Sequence, residues 1–176
     1  MQAASGYKKK ISKIRWVIGF SIMIPLIAIW LFFLSGRWQV FQIVSASMDP
    51  TLMVGDYVLM QGQQHVPDLT GRVIVFDDPK GEPDPLTKRV IAGQFSEVRL
   101  RNGQLFVDGS KEPVPGEAIA YRANQSWDVG EDQIFVVGDN RNDSFDSIDF
   151  GPIPRSSIKG VVTYRYWPLH RMSVIK

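Results

Sequence analysis

The hydrophobic pattern divides the chain into one long apolar stretch near the N-terminus and a series of short apolar runs after it. Residues 16–34 carry no charged side chain, which is long enough for a helix that crosses the hydrocarbon core of a membrane. The later runs are rich in β-branched and aromatic residues and are separated by Gly, Pro, Asn and Asp, as is typical of β-strands. They comprise residues 40–44, 57–60, 73–76, 90–92, 98–100, 105–107, 134–137 and 161–166. The pattern predicts a mainly β domain, a barrel or a coiled sheet, behind one N-terminal helix.

The clearest local unit is a predicted hairpin over residues 98–107. Apolar runs flank the pair Asn102-Gly103, and both central residues of a type I′ turn need the positive φ that Asn and Gly tolerate best. Two Pro-rich segments, residues 77–85 and 111–117, are predicted to be loops that are too short to divide the domain. The sequence therefore predicts one domain over residues 36–176.

Composition excludes several kinds of site. The 176 residues contain no Cys and only two His, so we expect no disulfide, no thiol nucleophile and no multi-histidine metal centre. The net charge is +2, but all acidic residues lie after residue 48, and residues 38–176 hold 14 basic and 18 acidic side chains. Because a nucleic-acid-binding domain is usually basic, no nucleic-acid partner is expected.

Basic residues cluster before the long apolar stretch. Five Lys or Arg lie in residues 8–15, whereas Arg37 stands alone just after the stretch. By the positive-inside rule, residues 1–15 form a cytoplasmic tail, residues 16–35 a transmembrane helix, and residues 36–176 an extracytoplasmic domain. A cleaved secretory signal is the alternative, but the apolar run is longer than a usual signal core and no clear small-x-small site follows it directly.

A candidate nucleophile lies where the first run after the anchor ends. Ser45 and Ser47 flank an alanine in what we predict to be a tight, exposed turn, because Pro50 restricts the backbone that follows. Nucleophilic serine chemistry also requires a base and donors for the oxyanion. Surface or packing roles are expected for His65 and His170, since neither has neighbours that indicate catalysis.

A lysine is the other possible base. Lys88 lies at the start of an apolar strand, and it would need desolvation to be neutral, because a free lysine has a pKa near 10.4. The strand pattern alone favours the simpler interpretation that Lys88 and Arg89 alternate on the strand with their charged groups in water.

A polar loop follows the run at residues 134–137. Residues 138–147 are dense in Asp, Asn and Ser, whose side chains fix irregular loops by hydrogen bonds to the backbone. Ser144 and Asp146 could orient a nearby lysine. A calcium loop is the alternative, but Arg141 occupies a ligand-like position and no terminal Glu follows in step, so no metal site is expected.

In this order the segments resemble the sequence boxes of bacterial type I signal peptidases, which are membrane-anchored serine proteases with a Ser/Lys dyad. Four boxes follow, in the family's order, an apolar anchor that is preceded by basic residues. The resemblance covers residues 16–170. It implies a signal-peptidase-like coiled β-sheet or barrel as the catalytic domain. The boxes are residues 41–52 for the nucleophile, 55–59, 88–91 for the lysine and 138–151, with residues 162–169 as the closing strand.

The resemblance implies roles for individual residues. By position, Ser47 would be the nucleophile and Lys88 the general base. Ser45 would donate to the oxyanion beside the backbone N–H of Ser47, and Ser144 with Asp146 would support the lysine. Shallow pockets for the small residues before the cut would be shaped by Phe41, Ile43, Val44, Leu52 and Thr87.

The implied function is removal of N-terminal signal peptides from exported preproteins, after small-x-small sites, by a single-pass enzyme of the bacterial plasma membrane. Implied partners are signal peptides, the lipid bilayer and the protein-export machinery, with no cofactor or metal. Three alternatives stay open: a specialised maturation peptidase for a pilin or conjugation protein, an inactive membrane-tethered module that binds signal peptides, and a soluble Ser/Lys autoprotease, which the predicted anchor disfavours.

Three segments depart from the family's pattern. Val44 stands where many members have proline, and residues 92–96 read Ala-Gly-Gln-Phe-Ser where Gly-Leu-Pro-Gly-Asp is usual. Ile148 stands where an arginine commonly follows Asp-Ser, so an ion pair with Asp146 is expected to be missing. None of the three changes the predicted dyad, so activity is still expected, with a narrower substrate range as one consequence.

Overall fold

A computed structural model describes residues 3–34, 36–62, 69–112, 119 and 123–175. The chain forms two compact units, Met1–Trp38 and Gln39–Lys176. The first is the helix α1, Ala3–Leu34, which contains Pro25. Within the described residues, no helix has both the length and the apolar character that a membrane span requires. The anchor over residues 16–35 stays a prediction, and Ser35 lies outside the described residues.

The second unit is mainly β, as predicted, with two antiparallel sheets. The larger sheet has the order β1-β2-β11-β3-β4-β9-β10, with β12 paired to β11, and the smaller has the order β7-β6-β5-β8. In chain order the strands are β1 Trp38–Gln42, β2 Tyr57–Gly62, β3 Val73–Phe76, β4 Leu86–Ala92, β5 Glu97–Arg101, β6 Gln104–Val107, β7 Ser110–Lys111, β8 Gln125–Asp128, β9 Gln133–Val137, β10 Ile153–Pro154, β11 Ile158–Trp167 and β12 Ser173–Val174.

The hairpin over residues 98–107 is confirmed as β5 and β6. Arg101 pairs with Gln104, so the turn has two residues, and Asn102 and Gly103 have φ values of 49° and 74°. Both angles are positive, as a type I′ turn requires.

The central strands of the larger sheet are buried on both faces. In β3, Val73 and Val75 pack into one apolar cluster, while Ile74 and Phe76 pack into another on the opposite face. Every residue of β3 is buried, which explains a continuous apolar run instead of an alternating one. A charged residue on a neighbouring strand is therefore carried into apolar surroundings.

Several boundaries differ from the prediction. The first strand after the anchor ends at Gln42, not at Val44. The sequence pattern also missed four strands and one short helix, α2 at Ser147–Phe150, because these elements are two to four residues long and lack an apolar run. Backbone pairing and helix capping stabilise these elements, and neither leaves an apolar pattern in the sequence.

The turn between β4 and β5 holds a bulky residue in a strained conformation. Phe95 has a φ of 66° and its side chain is 74% exposed, so the ring gains little packing while its Cβ is crowded by the backbone. The residue lies in the segment that departs from the family's pattern. We expect Phe95→Gly to raise the free energy of unfolding by about 0.5–1 kcal/mol, because glycine adopts this conformation freely.

Urea denaturation of the two proteins measures this change. Phe95→Ala is the matched control, since it removes the ring but keeps the Cβ at positive φ, and it should bring no such gain. An equal gain in both variants would mean that loss of the exposed ring, and not relief of backbone strain, stabilises the protein.

Candidate active site

The turn that carries Ser47 is built by backbone hydrogen bonds and two apolar anchors. The N–H of Asp49 donates to the carbonyl of Ala46 at 3.0 Å, and the N–H of Leu52 donates to the carbonyl of Met48 at 2.8 Å. The side chains of Met48 and Leu52 are fully buried in one apolar cluster. The prediction of an exposed turn is wrong at Ser47, whose residue is only 8% exposed, because these anchors draw the turn into the domain.

Ser45 lies beside the candidate nucleophile. Its hydroxyl oxygen is 3.2 Å from that of Ser47, and either hydroxyl can be the donor. Ser45 is exposed while Ser47 is buried, so the pair reaches from solvent into the site. A carbonyl carbon in contact with the Ser47 oxygen would leave its own oxygen within reach of the Ser45 hydroxyl.

Asn140 fastens the same turn from the other side. Its backbone N–H donates to the carbonyl of Ser47 at 3.0 Å, and its side-chain amide donates to the carbonyl of Ala46 at 3.2 Å. The sequence analysis included Asn140 in the polar loop of residues 138–147 but gave it no role. Its position in the polar loop, three residues after the end of β9, was the only signal available.

Gly138 is the point at which the separate segments meet. A Cβ placed on it would lie 2.5 Å from the carbonyl oxygen of Ser47 and 2.3 Å from the hydroxyl of Ser144. Strand β4 pairs with β9 through Arg89 opposite Val137, and continuing this register by one residue places Lys88 opposite Gly138. Ser47, Lys88 and Ser144 therefore converge on a residue that has no side chain.

Lys88 is buried, so the interpretation that placed its ammonium group in water is wrong. The residue is 3% exposed and pairs across the sheet with the fully buried Ile74, while Val90, two residues on, is also fully buried. Desolvation in these surroundings lowers the pKa of Lys88 from 10.5 to about 8, against the opposing effect of nearby carboxylates, Asp146 before Asp143 and Asp149. At pH 7 the Lys88 amine is then neutral in about one molecule in ten.

Asp146 organises the polar loop through the backbone. One carboxylate oxygen accepts from the N–H of Gly138 at 2.9 Å and the other from the N–H of Ile148 at 3.0 Å, where Asp146 caps helix α2. The capping box is completed by Asp149, which accepts from the N–H of Asp146. The loop is thus ordered without an arginine at residue 148, and the side chain of Ile148 packs into the apolar cluster of Ile91 and Phe135.

Ser144 projects inward beside these groups. Its hydroxyl is buried and has no hydrogen-bond partner among the described residues, while its proximity to Gly138 places it next to the position opposite Lys88. A buried hydroxyl without a partner is costly. It is therefore available to hydrogen-bond an ammonium group, an amine or a water at this point.

Two ion pairs hold the surrounding segments. Arg89 binds Asp139 through two parallel hydrogen bonds of 2.8 and 2.7 Å, which ties the strand of the lysine to the loop of Asp146. Arg165 contacts the buried Asp56 at 3.2 Å and donates to the carbonyl of Thr51 at 2.6 Å. Both pairs were missed from the sequence, because the partners lie 50 and 109 residues apart.

The predicted pocket residues divide into two groups. Ile43 and Leu52 are buried in the cluster that also contains Met48, and Phe41 packs against it. Thr87 is half-buried next to Lys88 on β4, whereas Val44 is 78% exposed and free to contact a ligand. Their role as pockets stays a prediction. His170 is exposed, and His65 lies outside the described residues.

Comparison with known proteins points to one family. Residues 13–167 match the family described as signal peptidase, peptidase S26. The chain is 33% identical over 146 residues to thylakoidal processing peptidase 1 of Arabidopsis thaliana. The alignment covers 74% of this chain and 42% of that protein. It is 32% identical over 184 residues to signal peptidase IB of Staphylococcus aureus (strain COL), which covers 92% of each chain.

The shared lengths and the structural likeness are limited. This chain spans about two fifths of the length of the two thylakoidal processing peptidases of Arabidopsis thaliana that it matches. A crystal structure of a signal peptidase I from Enterococcus faecalis V583 aligns with a TM-score of 0.47 and 24% identity, over 56% of this chain and 98% of that chain. At that score the likeness adds nothing to the fold described above.

Proposed function

This chain belongs to the signal peptidase family, peptidase S26, and from this membership we propose that it is a membrane-bound serine endopeptidase. Its substrates are the N-terminal signal peptides of exported preproteins, which it cleaves after small-x-small sites of the Ala-x-Ala kind. Ser47 is the nucleophile and Lys88 the general base.

One observation carries this proposal: Ser47 and Lys88 are both buried, with the carbonyl of Ser47 beside Gly138 and Lys88 opposite Gly138 when the β4–β9 register is continued by one residue. A neutral amine next to a serine hydroxyl is a pair that can do nucleophilic catalysis. Burial supplies the neutral amine, since desolvation brings the pKa of Lys88 to about 8. An ordinary exposed lysine would be neutral in only about one molecule in a thousand or fewer at neutral pH.

The reaction follows from these two groups. Lys88 takes the hydroxyl proton as the Ser47 oxygen bonds to the scissile carbonyl carbon, and the carbonyl oxygen becomes an oxyanion. When the C–N bond breaks, the Lys88 ammonium returns that proton to the leaving amine, which leaves an acyl-enzyme ester. A water then gives its proton to Lys88 and attacks the ester, and the proton returns to the Ser47 oxygen as the signal peptide leaves.

Donors and pockets around the pair complete the proposed site. The Ser45 hydroxyl, 3.2 Å from the Ser47 oxygen, and the backbone N–H of Ser47 would stabilise the oxyanion. Ser144 and Asp146 would orient Lys88. Small side chains before the cut would be preferred, because shallow pockets have no room for a larger residue. The residues that would shape these pockets are Phe41, Ile43, Val44, Leu52 and Thr87.

We place the catalytic domain on the outer side of the plasma membrane, with the N-terminus in the cytoplasm. The charge-free stretch at residues 16–34 and the basic residues before it support this orientation. The side chains described within this stretch are exposed, among them Trp16 and Trp30. The lipid bilayer and the protein-export machinery are the partners that this arrangement would bring together.

The pH dependence of cleavage should report the state of Lys88. Only the neutral amine can accept the proton, so the rate should rise about tenfold per pH unit below the pKa of about 8 and level off above it. Steady-state cleavage between pH 6 and 10 measures this, with circular dichroism as the control that the protein stays folded. A rate that is flat over this range, or that rises only near pH 10, would contradict the assignment of a desolvated base.

A substrate panel tests the proposed activity. The full chain in detergent should cut a preprotein with an Ala-x-Ala site after the last alanine, as N-terminal sequencing of the product shows. The same preprotein with Phe at that last position should be cut at least about a hundredfold more slowly. Cleavage of a pilin precursor alone would support the specialised peptidase, and binding without cleavage would support the inactive module.

A further inference from the structure

The loop before β4 reaches across to the loop of Ser144 and Asp146. Residues 77–85 leave β3 and lead into the strand of Lys88. The ammonium nitrogen of Lys80 lies over the ring of Phe145, 3.9 Å from its centroid. This cation–π contact joins the loop that leads into the strand of Lys88 to the loop that carries Ser144 and Asp146.

The loop presents Lys80 in a defined position. Asp78 accepts from the backbone N–H of Lys80 at 2.7 Å through its side chain and from that of Gly81 at 2.9 Å through its carbonyl. At the root of the loop, Asp77 forms an ion pair of 2.7 Å with Lys159. Lys80 therefore extends from a hydrogen-bonded turn, and the ion pair of Asp77 holds the start of the loop.

Aromatic packing against Phe150 holds the ring of Phe145 in place. Its ring meets that of Phe150 edge-on, with centroids 5.2 Å apart, and Phe150 meets Phe76 at 6.5 Å. Phe76 is the last residue of β3, directly before the loop that carries Lys80. Phe76 is thus connected to Phe145 in two ways: through the loop that carries Lys80, and through the ring of Phe150.

Phe145 separates the two residues that face the base. It is exposed, whereas Asp146 is buried and Ser144 is half-buried with a buried hydroxyl, so consecutive side chains point alternately outward and inward. Whatever holds the Phe145 ring also fixes the backbone from which Ser144 and Asp146 project. Neither Lys80 nor Phe145 belongs to the residues assigned to catalysis or to the pockets.

We propose that Lys80 and Phe145 are positioning residues, whose contact holds Ser144 and Asp146 against Lys88 and keeps water from that side of the site. We call the pair the Lys80–Phe145 clamp. The proposal deepens the proposed function and rests on it for its catalytic meaning, but the geometry it invokes can be tested without a substrate.

Loosening the clamp has a predictable direction. Burial has the largest effect on the pKa of Lys88. The charged groups that act on it are Asp146, Asp143 and Asp149, from the polar loop and α2. On β3 its cross-strand neighbour is the apolar Ile74. Admitting water weakens the desolvation more than it weakens the attraction to these carboxylates. The pKa of Lys88 should therefore rise, and the neutral amine should become scarcer at neutral pH.

The test compares Lys80→Gln and Phe145→Leu with the wild type as full chains in detergent. The pKa of Lys88 is read by NMR of the protein labelled with ¹³C-lysine, with its signal assigned through Lys88→Ala. We expect both variants to raise it by about half a unit or more, which is about a threefold loss of neutral amine. The acid limb of the cleavage profile should move by the same amount. Lys80→Arg keeps the cation and should behave as the wild type.

Lys111→Gln is the matched control, because it removes one positive charge from an exposed residue of the smaller sheet, and it should change nothing. The proposal is overturned if Lys80→Gln and Phe145→Leu leave the pKa of Lys88 unchanged, or if Lys80→Arg behaves as Lys80→Gln. Failure of the wild type to cut any preprotein would instead refute the proposed function, while the NMR comparison would still decide whether the clamp acts on Lys88.

Discussion

Gly138→Ala should reduce cleavage by at least about a hundredfold. The added methyl would lie 2.5 Å from the carbonyl oxygen of Ser47 and 2.3 Å from the hydroxyl of Ser144, and the first of these belongs to the backbone, which cannot rotate away. A displacement of even about 1 Å between a nucleophile and its base costs rates of this order. The free energy of unfolding should also fall by about 1–3 kcal/mol, as in other overpacked interiors.

Gly93→Ala is the matched control for this prediction. Gly93 has no heavy atom within 4 Å of the position its Cβ would take, so the same substitution there should leave cleavage and thermal stability close to those of the wild type. Steady-state cleavage and thermal denaturation of the three proteins measure the difference. Wild-type activity in Gly138→Ala would mean that Ser47 and Ser144 do not meet at this glycine in the working enzyme.

Lys88→Met should abolish cleavage and at the same time stabilise the protein. Loss of the general base costs about 10²–10⁴-fold in rate. The folded protein, however, is relieved of a desolvated ammonium group, whose pKa is lowered from 10.5 to about 8. That shift corresponds to about 3 kcal/mol of stability that the wild type lacks.

The sign of this effect with pH follows from proton binding. Between the two pKa values the unfolded wild type binds more protons than the folded one, so wild-type stability rises with pH through that range. The advantage of Lys88→Met should therefore be largest below pH 8 and should disappear above about pH 10.5. Denaturant unfolding at pH 7 and pH 10.5 measures it, with Lys111→Met as the control on an exposed lysine. A destabilised Lys88→Met at pH 7 would show that the lysine is not held at a cost.

The buried strands β3 and β9 of the larger sheet were predictable because their side chains carry the information. Continuous apolar runs between turn residues gave β3 with its observed bounds and β9 to within one residue, since burial on both faces leaves no polar position in the strand. The polar strand β8 was not predictable in this way. Its pairing with β5 depends on backbone hydrogen bonds, which any side chain permits.

The candidate site was predictable only in part, for a related reason. The resemblance named Ser47, Lys88, Ser144 and Asp146 by position. The structure brings Ser47, Ser144 and Asp146 to Gly138, and the β4–β9 register, continued by one residue, puts Lys88 opposite it. The burial of Lys88 could not be inferred from its own strand, because it depends on Ile74 of a different strand. The close approach at Gly138 depends in turn on the carbonyl of Ser47, 91 positions earlier in the chain.

The most direct test of the central claim is cleavage of a preprotein with an Ala-x-Ala site by the wild type, Ser47→Ala and Lys88→Ala, each as the full chain in detergent, with the product's new N-terminus sequenced. The account predicts that only the wild type cuts, directly after the last alanine, and that both variants remain folded by circular dichroism. Cutting by either variant at a rate close to that of the wild type would contradict the assignment of Ser47 and Lys88 as nucleophile and base.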